Sequence, residues 1–425
     1  MKPFVGFIRF LLLILFIPPF IFAQPYKIRD DVTTCVTVRN DHVTTSKDIA
    51  CLGAGTTVEV LSSIPFWREI KFNTNKTGWI AKKYLVPLSS SNEADGDRTI
   101  PENANLAIHF VDVGQGDGIW IQTHDDGIDG NGKFEGYSIV IDGGPYSADD
   151  SNPLLPYMET QGHHGAIVES LIVTHPHDDH FSGAETISRH FAVNHYYDPG
   201  YPELKSTASF LTFQNEMKGG RAKNVHIGKQ NFGKLDWGKE VDAEILYAWE
   251  GDDDNTLGSG NTEVNNASIV LRLQYGDHVF IFMGDAEGKD RADAPDAPSY
   301  VEKILLAGDT SKLKANLLKV AHHGSETSST LPFIQAVNPD VLIVQSGRKK
   351  FKGTFLPDAS TLKRYCTFNN AIQIYRTDEG DQGLDAKAAV DKDNIVVQSN
   401  GKGKLKVQAR RNGQPFAGNT CPSHH

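Results

Sequence analysis

Thr174-His175-Pro176-His177-Asp178-Asp179-His180 follows directly on the apolar run Ile167-Val168-Glu169-Ser170-Leu171-Ile172-Val173. The run reads as a buried strand, and at its tip the chain presents three imidazoles and a carboxylate within six residues. Nitrogen and oxygen donors in the spacing His-x-His-x-Asp-His are what Zn²⁺, Mn²⁺ or Fe ions accept. A lone histidine in a polar loop is ordinarily just solvated. Four ligand-type side chains (His175, His177, Asp179 and His180) at one strand tip point instead to a metal centre. The rigid strand beneath them orders the ligands in advance.

The 425 residues exceed one ordinary domain, and 39% hydrophobic with 22% charged residues is a soluble globular composition. Met1 to Ala23 reads as a cleaved secretory signal: Lys2 and Arg9 precede the apolar stretch Phe10 to Phe22, and Ala23 precedes Gln24. Losing Lys2 and Arg9 with it takes the formal charge from -11 to -13. Such an acidic surface argues against a chain that coats nucleic acid electrostatically, but not against a local basic patch. No other segment approaches membrane-spanning length, so the mature chain is expected to be secreted or periplasmic with no integral membrane segment. The four cysteines fit that address, and proximity favours the pairs Cys35–Cys51 and Cys366–Cys421.

Between residues 26 and 88, short alternating runs such as Val36-Thr37-Val38-Arg39 and Thr57-Val58-Glu59-Val60-Leu61 are punctuated by turn residues. With Gly78-Trp79-Ile80 and Tyr84-Leu85 closing the unit, this stretch resembles a bacterial SH3-like barrel. The resemblance implies cell-wall peptide binding or a spacer role. Trp67 and Trp79 read as barrel core rather than recognition surface. Residues 89–104, opening on Ser89-Ser90-Ser91-Asn92, form a polar linker. From 105 to 425, β-rich runs ending in polar or glycine-containing residues alternate with helical patterns such as Ala184 to Phe191 and Tyr300 to Ala307. That alternation implies an α/β domain of two sheets with helices packed outside, and strand tips converging on one edge. Asp125 to Glu135 carries oxygen donors among glycines, and reads equally as a Ca²⁺ loop or as an Asp-Gly-rich hairpin loop.

Further motifs occur in order: Asp112-Val113-Gly114-Gln115-Gly116-Asp117, Asp142-Gly143-Gly144, the His175 to His180 cluster, Asn265-Asn266-Ala267-Ser268, Gly284-Asp285-Ala286-Glu287 and His322-His323-Gly324-Ser325. With them the chain resembles the metallo-β-lactamase superfamily, and more narrowly the hydrolase domain of ComEC-type competence proteins and their free-standing secreted relatives. The resemblance implies a four-layer αββα fold preceded by the small all-β unit, and one or two divalent ions, Zn²⁺ or Mn²⁺. It implies His175 and His177 on one ion, Asp179 and His180 on a second, Asp285 bridging, and His322 rather than His323 completing the second ion's shell. Asp142 is expected to orient the histidines rather than to bind metal. Many members carry a third histidine on the first ion; here Asn266 and Ser268 occupy the matching segment. His109, His195 and His226 read as surface or core rather than as substitutes.

The chemistry implied is hydrolysis, with a bound ion activating water and Asp179 orienting or deprotonating it. Gln115, Asp117, Ser268, Ser325, Arg348 and Lys349 are the expected substrate contacts. The last two belong to Arg348-Lys349-Lys350-Phe351-Lys352, where clustered cations around an aromatic suit a phosphate backbone, though a solvated loop accounts for them as well. An exported phosphodiesterase or nuclease acting on DNA is the preferred expectation. A hydrolase of carboxylic esters, thioesters or lactams, and a wall-binding protein with a vestigial site, are the alternatives.

Overall fold

The computed structural model describes residues 24–29, 32–41, 46–64, 67–73, 76–81, 84–87, 105–123, 136–145, 152–161, 163, 167–202, 205–238, 240–251, 256–347, 350–351, 354–379, 392–411 and 414–420. The expected signal, linker and Ca²⁺ loop, together with Arg348, Lys349 and Cys421, lie outside the described residues. The chain divides between Ser91 and Asn92 into two compact units.

The first unit holds β1 (Gln24–Ile28), β2 (Val36–Arg39), β3 (Asp48–Leu52), β4 (Thr57–Ile64), β5 (Trp67–Phe72), β6 (Lys76–Ala81) and β7 (Leu85–Pro87). They form one sheet in the order β3-β2-β6-β5-β4-β1-β7, antiparallel throughout. Alternate residues such as Val36, Val38, Ile70, Phe72 and Ile80 point inward, as the two-residue strand period requires. Trp67 and Trp79 depart from expectation: both are half-buried, and aliphatic side chains with Phe72 fill the core in their place. A disulfide joins Cys35 to Cys51. Cys366, in the second unit, is also disulfide-bonded.

The second unit contains β8 (Leu106–Phe110), β9 (Gly118–Gln122), β10 (Ser138–Gly143), β11 (Ile167–Ile172), β12 (Ala192–Asp198), β13 (Ala222–Ile227), β14 (Val241–Tyr247), β15 (Val270–Tyr275), β16 (His278–Phe282), β17 (Leu317–Lys319) and β18 (Val341–Val344). After the hairpin β19 (Lys350–Phe351) and β20 (Thr354–Phe355) come β21 (Gln373–Arg376), β22 (Asn394–Ser399), β23 (Lys406–Arg411), β24 (Gln414–Phe416) and β25 (Asn419–Thr420). The helices are α1 (Leu154–Thr160), α2 (Asp178–His190), α3 (Ala208–Glu216), α4 (Asn261–Asn266), α5 (Tyr300–Ala307), α6 (Leu331–Val337) and α7 (Ala359–Phe368). One sheet runs β13-β12-β11-β10-β9-β8-β22-β23-β24, the other β14-β15-β16-β17-β18-β21-β25.

Three cores define four layers. Ile108, Ile121, Ile141, Leu271, Phe280 and Ile343 meet between the two sheets. Phe181, Ile187, Phe210 and Phe213 bury the helices α2 and α3 against the first sheet. Val301, Phe333, Ile334 and Tyr365 bury α5, α6 and α7 against the second. The order is αββα. Both sheets are covered on both faces, so their central strands read as continuous apolar runs rather than alternating ones. Among the described residues no helix is long and apolar enough to cross a membrane.

Candidate metal centre

Strands β10 and β11 are parallel, so Asp142 and the segment after Ile172 emerge at the same sheet edge. Helix α2 starts immediately beyond, with His177 as its N-cap and Asp178 and Asp179 in its first turn, where carboxylates suit the helix dipole. It begins earlier than the apolar pattern suggests for that reason. The turn 114–117 packs against this first turn: a Cβ on Gly116 would lie 2.2 Å from the Asp179 carbonyl oxygen. Gly143 is required in the same way, since its Cβ would meet the Ala184 nitrogen at 2.0 Å. From the second sheet, Asp285 follows β16 through Gly284. His322 and His323 follow β17 in a turn where both have left-handed φ, 47° and 52°. Positive φ is uncommon for residues other than glycine.

Three overlapping groups of donors meet at this edge. His175, His177 and Asp285 form one, Asp179, His180 and His323 a second, and Asp117, His180 and Asp285 a third; within each, the ligand atoms all lie within 4.8 Å of one another. Asp285 stands between the first two, with Oδ2 3.8 Å from His175 Nε2 and 3.4 Å from His323 Nε2, and Oδ1 3.4 Å from His180 Nε2. His175 Nε2 and His177 Nδ1 converge to 3.0 Å with their rings steeply inclined. Two nitrogens about 2.1 Å from one ion and near a right angle apart have about that separation.

The remaining nitrogens are held from behind. Asp142 Oδ2 accepts from His180 Nδ1 at 2.8 Å and from the Thr174 hydroxyl at 2.7 Å, while Oδ1 accepts from the Thr174 amide. The Gln345 carbonyl accepts from His323 Nδ1 at 2.9 Å. Such partners fix the ring so that the other nitrogen faces the centre. The Ser268 hydroxyl receives the Asp285 amide at 2.9 Å and lies 3.3 Å from His175 Nδ1.

Electrostatics follow from burial and crowding. Burial pushes the His175 and His177 pKa values down, leaving both neutral and able to offer lone pairs. Burial acts the same way on His180 and His323, but Asp285 and the neighbouring carboxylates more than offset it and raise both well above the usual value. Asp179 and Asp285 are correspondingly depressed by those histidines despite their burial.

Several placements differ from expectation. His323, not His322, stands in the second group: His323 is buried, whereas His322 turns out to Thr327 Oγ1 at 3.0 Å and Glu287 Oε1 at 3.3 Å. The two side chains of this turn diverge, so His323 enters the group and His322 does not. Asn266 is no ligand; its Oδ1 accepts from the Glu287 amide and its Nδ2 donates to the Leu257 carbonyl. Asp117 is buried inside the centre rather than set out toward a substrate, paired with Lys319 and 3.4 Å from His323 Nδ1. Gln115 is likewise buried, its Oε1 receiving the Gly347 amide at 3.3 Å. Ser325 is buried too and shares its hydroxyl with Thr327 at 3.0 Å. His109 lies away from the group, held by Tyr157 and Gln122, and burial brings its pKa down to about 4. His195 and His226 bond each other.

Sequence reasoning missed Lys319, Thr174 and Gln345. Lys319 had a signal: a charged residue inside the apolar strand Leu317-Leu318-Lys319-Val320 must find a buried partner.

The model of the metallo-beta-lactamase superfamily matches residues 133–348, just over half of the chain. The chain belongs to that superfamily. This metallo-beta-lactamase superfamily member is 24% identical over 288 residues to ComE operon protein 3 of Bacillus subtilis (strain 168), covering 64% of this chain and 32% of that protein. It is 24% identical over 271 residues to Recombination protein 2 of Haemophilus influenzae, covering 63% of this chain and 27% of that protein. The chain thus spans about a third of the length of these curated relatives. Among solved structures, Zn²⁺-bound PqqB from Methylobacterium extorquens is similar with a TM-score of 0.37 and 11% identity, over 64% of this chain and 98% of that one.

The donors present in this superfamily member fit a divalent ion. His180 Nε2, His323 Nε2 and Asp285 Oδ1 are buried, face one another and have no hydrogen-bond partner. Orphaned buried polar atoms are costly unless something else satisfies them. Imidazole nitrogens with carboxylate oxygens suit Zn²⁺ or Mn²⁺.

Proposed function

We propose that the chain is an exported, metal-dependent phosphodiesterase that hydrolyses DNA. The observation that carries the reading is Asp285, standing between two groups of nitrogen donors. A divalent ion held there supplies Lewis acidity and lowers the pKa of water. His175 and His177 would hold one ion, and Asp179, His180 and His323 a second, with Asp285 shared. Asp142 and the Gln345 carbonyl keep His180 and His323 aimed inward.

Asp179 is the residue that would orient the attacking water by accepting a hydrogen bond from it. It retains 24% of its side-chain exposure, against 3% or less for Asp117 and Asp285, so it stands at the open face. A carboxylate with that access and a depressed pKa is ionised and within reach of incoming substrate. DNA is favoured over other diesters by the names of two relatives, a competence operon product and a recombination protein. Export is supported by the Met1 to Ala23 pattern and the Cys35–Cys51 disulfide. The N-terminal antiparallel unit is read as SH3-like, a wall-binding or spacer module.

Purified protein loaded with Mn²⁺ or Zn²⁺ is to be incubated with single-stranded DNA, plasmid and bis-p-nitrophenyl phosphate. Hydrolysis that His177→Ala and Asp179→Ala both abolish supports the reading. Inert wild-type protein with a full complement of metal would refute it.

A further inference from the structure

Asn265 is 4% exposed, and among the described residues its Oδ1 has no hydrogen-bond partner. The other arm of the carboxamide is engaged: Nδ2 donates to Glu287 Oε1 at 2.7 Å and lies 3.4 Å from His322 Nε2. The amide is therefore locked, since turning it over would set Oδ1 against the Glu287 oxygen. A sealed acceptor of fixed direction is costly unless something electropositive meets it. We propose that Asn265 Oδ1 is a fourth ligand of the ion held by His175, His177 and Asp285, and that it makes this a position for Mn²⁺. The proposal rests on the two-ion reading above and adds to it a ligand and the identity of the metal.

The fold brings Asn265 to that ion. It lies in the last turn of α4, and the Ser268 amide closes a further turn onto its carbonyl at 3.0 Å. Residues three apart in such a turn share a face. On that face the Ser268 hydroxyl lies 3.3 Å from His175 Nδ1 and receives the Asp285 amide. Glu287, which flanks Nδ2, is only two residues beyond Asp285, and His322 is the neighbour of His323. Burial chiefly lowers the His177 pKa and His322 adds to the lowering, so His322 and the amide beside it stand within electrostatic reach of the first group.

The donor set decides which ion gains from the oxygen. His175, His177 and Asp285 leave one position open on a tetrahedral Zn²⁺ and three on an octahedral Mn²⁺. Zinc can work with those three alone, whereas carbonyl and carboxylate oxygens are what Mn²⁺ favours. A buried water would also satisfy an isolated amide oxygen. Here the surroundings are rich in lone pairs, from the His175 and His177 rings that burial keeps neutral and from the Asp285 carboxylate, and a cation serves them better.

The test titrates Mn²⁺ and Zn²⁺ into the metal-free full chain, with free Mn²⁺ read by electron paramagnetic resonance. Asn265 and Glu287 are partners, so they are changed together. Asn265→Leu/Glu287→Leu removes the oxygen without stranding a carboxyl group. It should weaken one of the two Mn²⁺ sites at least about tenfold, the lower end of what losing even an outer-shell partner does. Zn²⁺ at that site should weaken less. Asn265→Asp/Glu287→Gln keeps the oxygen and reverses the hydrogen bond, so it should hold Mn²⁺ at least as tightly as wild type. Asn265→Ser/Glu287→Gln, too short to reach the ion, is read in place of the leucine pair if that pair disturbs the circular-dichroism spectrum. Unchanged Mn²⁺ affinity without the oxygen would overturn the ligand and leave the two-ion reading standing. Equal losses in the leucine and aspartate pairs, the mark of a packing role, would overturn it as well. An equal fall for Mn²⁺ and Zn²⁺ would overturn the metal preference. Wild-type protein that binds no more Mn²⁺ than His177→Ala would remove the two-ion reading, and the ligand with it.

Discussion

Lys319 and Asp117 form an ion pair sealed from solvent within the candidate metal centre. Asp117 Oδ1 lies 3.4 Å from His323 Nδ1 and Oδ2 lies 3.9 Å from His180 Nδ1, so the pair backs both histidines whose Nε2 atoms face inward. Burial would raise the Asp117 pKa, but Lys319 and the histidines hold it below the ordinary carboxylate value. The ion pair therefore keeps Asp117 charged beside Asp179 and Asp285 without exposing it.

Removing the cation should be costly. Lys319→Met leaves the Asp117 carboxylate buried without its principal counter-charge, a change expected to cost about 3–5 kcal/mol. Adding Asp117→Asn to that variant removes the stranded charge and should restore a large part of the loss. Urea unfolding followed by signals from the second unit measures both. A single-variant loss within about 0.5 kcal/mol, ordinary for surface substitutions, would show that the pair is not electrostatically coupled.

The two adjacent histidines make a sharp contrast. His323→Ala should lose at least one equivalent of tightly held Mn²⁺ or Zn²⁺, because its Nε2 faces Asp285 and Asp179 at 3.4 and 3.5 Å. His322→Ala should keep its metal, since that ring bonds Thr327 and Glu287 instead. Elemental analysis of the two proteins after gel filtration decides. The reverse pattern would restore the assignment read from the motif alone.

The ring-orienting role of Asp142 is open to the same kind of measurement. Asp142→Asn retains the shape but replaces the carboxylate that accepts from His180 Nδ1. Metal affinity should fall about 10–100-fold, the usual consequence of losing such a partner. A competition titration against a chromogenic chelator reads the change directly, and an unchanged constant would mean that His180 needs no help.

Much of the architecture was legible beforehand because its signals are local. The apolar runs that became β11, β16 and β18 are buried on both faces, and the pattern at Tyr300 to Ala307 is the helix α5 itself. The His175 to His180 donors run from the tip of β11 into the first turn of α2, so their spacing alone places them together. The choice between His322 and His323 was not legible in the same way. It depends on two successive left-handed residues, and nothing in His-His-Gly announces that backbone. Asp117 and Lys319 are 202 positions apart, so neither could be paired from local pattern. Trp67 and Trp79 were misjudged because bulk and apolarity say nothing about which face of an antiparallel strand looks inward.

Acidity should act on the chelated protein from two sides. His180 and His323 have pKa values raised by the surrounding carboxylates, with Asp285 foremost, in spite of burial. Their contribution to stability is complete below the unfolded value of 6.5 and is lost as pH rises through the higher folded value. Asp179 and Asp285 are depressed, so their contribution is present above the unfolded value of 3.8 and is lost as pH falls through the lower folded value. His175 and His177, depressed by burial, add stability that is present above 6.5 and lost as pH falls through their lower folded values. Stability in chelator should therefore peak near pH 6.5 and decline above neutrality. Metal must displace the protons on His180 and His323, so apparent affinity should rise steadily between about pH 6 and 8. Urea midpoints in EDTA, with metal titrations at the same pH values, measure the two effects together. Stability that climbs through neutrality while affinity stays flat would mean that both imidazoles are already neutral, and that the carboxylates around them do not hold their protons.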